Sequence, residues 1–141
     1  MHALIIEQDY WIIVMIEDVL RELGYNSFDS AASVEGAILS AARNCPDLIT
    51  ADLRLDTGTG LEAVRHICSE SPIPVVFITA TPWEVEAHEK ERVIVPKPFD
   101  AAGLRSGVAR ARRQNTPVRD KMRRSGSMPV NARASPAEKS R

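Results

Sequence analysis

The sequence predicts a doubly wound α/β domain in which five parallel strands alternate with helices. Short apolar runs recur along the chain, and segments with apolar residues at helical spacing lie between them. Several of these runs are apolar at nearly every position, as expected for strands buried on both faces of a parallel sheet. Right-handed crossovers between such strands place helices on both faces of the sheet.

The first half of the chain contains three predicted strands and two predicted helices. Residues 3–6 and 47–51 read as buried strands, and the more polar residues 25–30 read as a strand at the sheet edge. The first helix stops at Gly24, and Ser33 is placed to cap the second helix. The first helix is predicted from six apolar residues at helical spacing: Ile12, Ile13, Ile16, Val19, Leu20 and Leu23.

The second half repeats the alternation with one irregularity. A loop at 56–60 leads into a third helix that ends at Ser71-Pro72, and strands follow at 74–78 and 93–95. Residues 81–92, between these two strands, are polar and lack an apolar stripe, so the fourth helix is expected to be irregular or shortened. Asp100 can cap a last helix that ends near residue 113.

The charge distribution divides the chain into two parts. Residues 1–100 hold 7 Lys and Arg against 17 Asp and Glu, whereas residues 101–141 hold 11 against 2. We therefore predict a folded domain at 1–113 and a basic, disordered tail at 114–141, where the apolar pattern fails.

The composition also bounds the class of protein. No apolar run is long enough to span a membrane, and the N-terminus lacks the basic region of a secretory signal, which predicts a cytoplasmic protein without a membrane partner. Cys45 and Cys68 have no metal-ligand spacing and read as ordinary reduced thiols.

Four polar residues follow four of the apolar runs. Glu7, Asp52, Thr79 and Lys97 stand at the carboxyl ends of the first, third, fourth and fifth predicted strands. A parallel sheet collects its functional groups at that edge. Two acids, a hydroxyl and an ammonium meeting there indicate a site for a phosphoryl group and a divalent cation. Taken singly, each residue could instead be a cap, a strand residue or a solvated side chain.

Four motifs in this order resemble the receiver domain of two-component response regulators. They are LIIEQDYWIIVMIEDVLRELGY, DLITADLRLDTGTGLEAVRHI, IPVVFITA and VPKPF, and the resemblance covers about residues 3–113. It implies a flavodoxin-like sheet with strand order 2-1-3-4-5. It further implies that Asp52 accepts a phosphoryl group from a histidine kinase or a phosphotransfer protein, and that the domain signals and is not an enzyme acting on an outside substrate.

The resemblance also assigns roles to other residues. Glu7, Gln8, Asp52 and the backbone carbonyl of Arg54 match the ligands of Mg²⁺, the implied cofactor. Thr79 matches the hydroxyl that contacts the phosphoryl oxygens and moves on activation. Ala80 matches a small residue that leaves room for the phosphoryl group. Lys97 matches the lysine that pairs with the phosphorylated aspartate, and its bond to Pro98 matches a peptide that is usually cis.

The sequence departs from the family pattern at two positions. Gln8 stands where a second acid is usual, which predicts weaker Mg²⁺ binding. Ile94 stands where many receivers carry the Tyr or Phe that swings inward, so the usual switch between Thr79 and an aromatic residue is missing. The string FITAT resembles a receiver subgroup with an irregular fourth helix, and we hypothesise that 81–92 stiffens on phosphorylation.

Other interpretations stay open at this point. Gln8 could mark a pseudo-receiver that is never phosphorylated and acts as a binding module. The basic residues from 105 onward could bind nucleic acid or a membrane, although they lack the aromatic residues that single-strand binders use. A metal-dependent hydrolase is a third class. The output is expected to be contact with a protein target that the sequence does not identify, and homodimer formation is also left open.

Overall fold

A computed structural model describes residues 1–115, and the predicted tail lies outside this range apart from its first two residues. Five strands alternate with five helices. In chain order the elements are β1 His2–Ile6, α1 Tyr10–Glu22, β2 Ser27–Ala31, α2 Val34–Arg43, β3 Leu48–Ala51, α3 Gly60–Ile67, β4 Val75–Thr79, α4 Pro82–His88, β5 Val93–Pro96 and α5 Ala101–Gln114.

The strands form one parallel sheet in the order β2-β1-β3-β4-β5, so the predicted fold class and strand order are confirmed. The polar strand β2 lies at the edge, as its composition predicted. The four strands that carry the predicted site residues are direct neighbours. Their carboxyl ends therefore lie side by side along one edge of the sheet.

Each face of the sheet carries its own apolar core. Alternate strand residues point to opposite faces, so Ile5 and Val76 pack with α1 and α5, whereas Leu4 and Phe77 pack with α2, α3 and α4. The sheet is thus buried on both sides, which explains why its central strands are continuous apolar runs. No helix within residues 1–115 has both the length and the apolar character needed to cross a membrane.

Two element boundaries differ from the sequence prediction by more than one residue. Helix α1 ends in a pair of backbone hydrogen bonds, from Gly24 N to Arg21 O and from Tyr25 N to Leu20 O, with Gly24 at a φ of 100°. This turn holds Tyr25, so β2 starts later than predicted, at Ser27. Helix α3 already ends at Ile67, several residues before the predicted break at 71–72.

Four of the helices begin at a side chain that caps them. The caps are Asp9 of α1, Ser33 of α2, Thr59 of α3 and Asp100 of α5, each of which accepts a hydrogen bond from a backbone N–H of the first turn. The predicted caps Ser33 and Asp100 are among them. Thr81 occupies the same position before α4, but its side chain makes no capping hydrogen bond.

Helix α4 is short and only weakly attached by apolar packing, which confirms the predicted shortened fourth helix. It has seven residues, of which Val85 is the one that is buried, and its Trp83 side chain is exposed. Ion pairs hold both ends. Glu84 pairs with Arg54 at 3.1 Å, and Glu89, just after the helix, pairs with Arg65 at 2.8 Å and Arg92 at 2.7 Å.

We predict that Thr50→Val stabilises the protein. Thr50 lies within β3 beside Ile5 and Val76, and its buried hydroxyl has no hydrogen-bond partner within residues 1–115. A buried unsatisfied polar group costs about 1–3 kcal/mol, so its removal should raise the free energy of unfolding by about 1 kcal/mol in chemical denaturation. Thr50→Ser keeps the hydroxyl and loses a methyl group, so it should lower the free energy of unfolding instead. A Thr50→Val protein no more stable than wild type contradicts this account.

We also predict that Glu89→Gln weakens the attachment of α4. Burial alone would raise the pKa of Glu89, but hydrogen bonds from Arg92 and Arg65 outweigh it and lower the pKa below its ordinary 4.5. The lowered folded-state pKa means that this stabilisation is present above pH 4.5 and is lost as the pH falls through the folded-state pKa.

Glu89→Gln should therefore cost up to about 1 kcal/mol of unfolding free energy at pH 7, because the pairs are partly exposed. The difference in unfolding free energy between Glu89→Gln and wild type should shrink below about pH 4. Glu86→Gln, on the exposed side of the same helix, is the control and should have no effect. Equal effects of the two substitutions would argue against the ion pairs as the attachment.

Candidate functional site

Three of the four predicted site residues meet in one cluster at the carboxyl edge of the sheet. Glu7 follows β1, Asp52 follows β3 and Lys97 follows β5. Lys97 Nζ donates a hydrogen bond to Glu7 Oε1 at 3.0 Å and another to Asp52 Oδ2 at 3.0 Å. The ammonium therefore lies between the two carboxylates and pairs with both.

Burial and charge both act on the ammonium in this cluster. The side chains of Glu7, Asp52 and Lys97 retain 2%, 12% and 19% of their exposure. Burial by itself would lower the pKa of Lys97, but the hydrogen bonds and charges of Asp52 and Glu7 outweigh it, and the net result raises the pKa above 10.5. Lys97 thus stays protonated at neutral pH, and two carboxylates share one positive charge.

Backbone hydrogen bonds fix where each side chain starts. Glu7 N donates to Ala31 O and Asp52 N donates to Ile6 O, both at 2.9 Å, which continues the parallel pairing past the strand ends. Glu7 Oε2 accepts from Asp9 N at 3.0 Å. Asp52 Oδ1, in contrast, accepts no hydrogen bond from the described residues. Asp52 is the less buried of the two acids in the cluster, and its Oδ1 is therefore available to an incoming group.

The fourth residue, Thr79, has its hydroxyl turned to another partner. Its carbonyl accepts from Lys97 N at 2.9 Å, which ties the ends of β4 and β5 together. Its buried hydroxyl accepts from Thr81 N at 3.1 Å and lies 3.2 Å from Thr81 Oγ1. The structure thus places Thr79 at the predicted edge, with its hydroxyl hydrogen-bonded to the loop before α4.

The remaining predicted residues surround this cluster without joining it. Gln8 and Ala80 are exposed in the loops that follow β1 and β4. The backbone of Arg54 forms an antiparallel bridge with Thr59, and its side chain extends to α4. Ile94 is half-buried and packs against the apolar core on the α2, α3 and α4 side. The Lys97–Pro98 peptide is cis.

One residue of the site was not found from the sequence. A Cβ on Gly60 would lie 2.1 Å from the backbone oxygen of Asp52, so no other residue type fits there without a shift of the chain. Gly60 also starts α3 and donates its N–H to Leu53 O at 2.8 Å. The sequence shows a glycine at the end of the predicted 56–60 loop. It does not show that this glycine lies against the backbone oxygen of Asp52.

The donor set fits a hard divalent cation. Carboxylate, amide and carbonyl oxygens are the ligands that Mg²⁺ prefers, and one or two carboxylates suffice because the ion keeps several waters. Glu7 and Asp52 provide two carboxylates joined through one ammonium. Residues 1–115 contain no group of three His, Cys, Asp or Glu that could hold a metal by themselves, in keeping with Gln8 at the place of a further acid.

Comparisons with known proteins identify the family and the fold. The family model of the response regulator receiver domain matches residues 3–109. The chain is 33% identical to the receiver domain of the PhyR response regulator from Erythrobacter litoralis, with a TM-score of 0.75 over 83% of this chain and 94% of that one.

Two longer proteins are also similar. The phyllosphere-induced regulator PhyR from Methylorubrum extorquens is 31% identical over 77% of this chain. A mutant of the anti-anti-sigma factor PhyR from Bartonella quintana is 30% identical, with a TM-score of 0.69 over 82% of this chain. The chain spans only 42% and 50% of these two proteins, respectively, so the match concerns their receiver part. With its five-stranded parallel fold and its match over residues 3–109, the chain belongs to the response regulator receiver domain family.

Proposed function

We propose that this chain accepts a phosphoryl group on Asp52 from a histidine kinase or a phosphotransfer protein and signals through contact with a target protein. The observation that carries the proposal is the Lys97 ammonium, 3.0 Å from both Asp52 and Glu7 at the carboxyl edge of the sheet. Receiver domains are signalling domains, so the chemistry proposed here is confined to Asp52 itself.

The transfer uses the oxygen of Asp52 that the described residues leave unbonded. Attack by Oδ1 on the phosphorus of a phosphohistidine forms an O–P bond and breaks the P–N bond, and the electron pair of the broken bond returns to the imidazole. The product is an acyl phosphate that carries more negative charge than the carboxylate it replaces. Positioning and neutralisation of charge supply most of the catalysis in such transfers.

Lys97 is the protein group placed to neutralise this charge. It already donates to Asp52, and two opposite unit charges about 4 Å apart attract by roughly 4 kcal/mol near a protein surface. Its raised pKa keeps it charged throughout the neutral range. The Thr79 hydroxyl and the small side chain of Ala80 lie at the end of the next strand, where a phosphoryl group on Asp52 would extend.

Mg²⁺ is the proposed cofactor, held by Glu7, Gln8, Asp52 and the carbonyl of Arg54. When bound, it supplies positive charge that neutralises the phosphoryl oxygens. The protein contributes two carboxylates that are already close together. The positive charge of Lys97, which pairs with both, offsets the repulsion between them. Gln8 offers an uncharged oxygen, so the site holds the ion with less charge than a site with one more acid.

The partners are proposed only at the level of class. A similar protein is described as an anti-anti-sigma factor, but this chain covers half of it, and we carry over only the receiver's role of phosphorylation-dependent contact. A cytoplasmic location and a homodimer stay predictions. Binding of nucleic acid or a membrane through the basic residues from 105 onward mostly concerns residues outside 1–115, and it stays a prediction.

We predict that wild-type protein incubated with Mg²⁺ and acetyl phosphate gains one phosphoryl group in intact mass spectrometry. Asp52→Asn replaces the nucleophilic carboxylate with a neutral amide and should gain none. Asp56→Asn is the matched control, because Asp56 is an exposed acid four residues away, and it should be phosphorylated like wild type. Failure of wild type to gain mass favours the pseudo-receiver, and a gain in Asp52→Asn places the phosphoryl group elsewhere.

We also predict that Gln8→Asp tightens Mg²⁺ binding in isothermal titration calorimetry. An added carboxylate gains Coulomb attraction to the ion, part of which is lost to desolvation, so we expect at least about a tenfold lower Kd, or 1.4 kcal/mol. Gln8→Asn has the same length as Gln8→Asp without the charge and should not tighten binding. Equal affinities for wild type and Gln8→Asp would exclude Gln8 as a ligand position.

A further inference from the structure

The contacts of Thr79 provide a route from the phosphorylation site to α4 that does not need an aromatic residue at position 94. The hydroxyl of Thr79 accepts a hydrogen bond from Thr81 N at 3.1 Å and lies 3.2 Å from Thr81 Oγ1. Thr81 is also the residue that immediately precedes α4. One residue therefore contacts the proposed switch hydroxyl and directly precedes the helix.

Thr81 does not cap the helix in this structure, in which its N–H and its hydroxyl are both paired with Thr79. Threonine at this position normally accepts a hydrogen bond from a backbone N–H of the first turn. Thr81 makes no such bond and has a ψ of 65°, whereas the capping residues of the other four helices are extended and each accept one. The first N–H of α4 is missing as well, because Pro82 stands there, and Glu84 N already donates to the backbone oxygen of Thr81 at 3.0 Å, which leaves the N–H of Trp83 for a cap.

Helix α4 has little apolar packing that would outweigh a change in its cap. Val85 provides its one buried side chain, and ion pairs of Glu84 and Glu89 add to its attachment. Its first turn also contacts the other side of the site. Glu84 accepts two hydrogen bonds from Arg54 Nη2, at 3.1 and 3.2 Å, and Arg54 lies two residues beyond Asp52. The start of α4 is thus joined to the segments that follow both β3 and β4.

We propose that Thr81 is a positioning residue that exchanges partners when Asp52 is phosphorylated. In the resting state its N–H and hydroxyl hold the Thr79 hydroxyl. When Thr79 donates its hydroxyl hydrogen to a phosphoryl oxygen, Thr81 Oγ1 is released and accepts a hydrogen bond from Trp83 N. The phosphorylated chain then has a capped α4 and the resting chain an uncapped one. This inference rests on the proposed phosphorylation of Asp52.

The test compares backbone amide hydrogen exchange of the full chain with and without Mg²⁺ and acetyl phosphate, with intact mass as the check of phosphorylation. In wild type, phosphorylation should slow exchange at Trp83 about fivefold, the effect of a typical cap. Thr81→Ser keeps the hydroxyl and should show the same slowing. Thr81→Val keeps the shape, loses the hydroxyl and should show none.

Ser33→Ala is the matched control for the loss of a cap. Ser33 caps α2 in the resting structure, so its removal should speed exchange in α2 equally with and without phosphate. A phosphorylated wild type without slowing in α4, or a Thr81→Val protein that slows as wild type does, overturns the role of Thr81 alone. A wild type that gains no mass overturns the proposed function and, with it, this inference.

Discussion

The site depends on one ammonium group held between two carboxylates. Glu7 is almost fully buried, and a buried carboxylate without a partner costs several kcal/mol. Lys97 is its partner across 90 positions of sequence, and it can serve Asp52 as well because β1 and β3 are adjacent. β4 lies between β3 and β5, so the Lys97 side chain reaches past the end of β4. The order of the strands is therefore a condition for the charge balance of the site.

The parts of the molecule that could be predicted from the sequence are those set by burial pattern and by contacts between residues close in the chain. Apolar runs record burial on both faces, so the strands and their order followed from the pattern and the family resemblance. Ser33 and Asp100 were found as caps because a cap is a local contact over three residues. The end of α1 was predicted from Gly24, but the hydrogen bond that holds Tyr25 was not, so β2 was placed too early.

The contacts that were missed join residues distant in sequence or depend on rotamers. The pairing of Arg54 with Glu84 spans 30 residues, and the approach of Gly60 to the Asp52 carbonyl depends on how the loop folds back. Thr79 was placed at the correct edge from its strand alone, yet its hydroxyl could point to the acids or to the next loop. Spacing cannot distinguish these two rotamers, and it is this difference that matters for the coupling to α4.

The two departures from the family pattern affect different steps. In the proposed function, Gln8 lowers the negative charge available to Mg²⁺ and so affects binding of the ion. Ile94 affects what happens afterwards, because an aliphatic side chain packed into the core on the α2, α3 and α4 side offers no hydroxyl or ring to exchange between two positions. Since α4 contributes a single buried side chain, apolar repacking has little to act on there. The proposed coupling between Asp52 and α4 therefore relies on polar contacts, and the structure contains such contacts at Thr81 and Arg54.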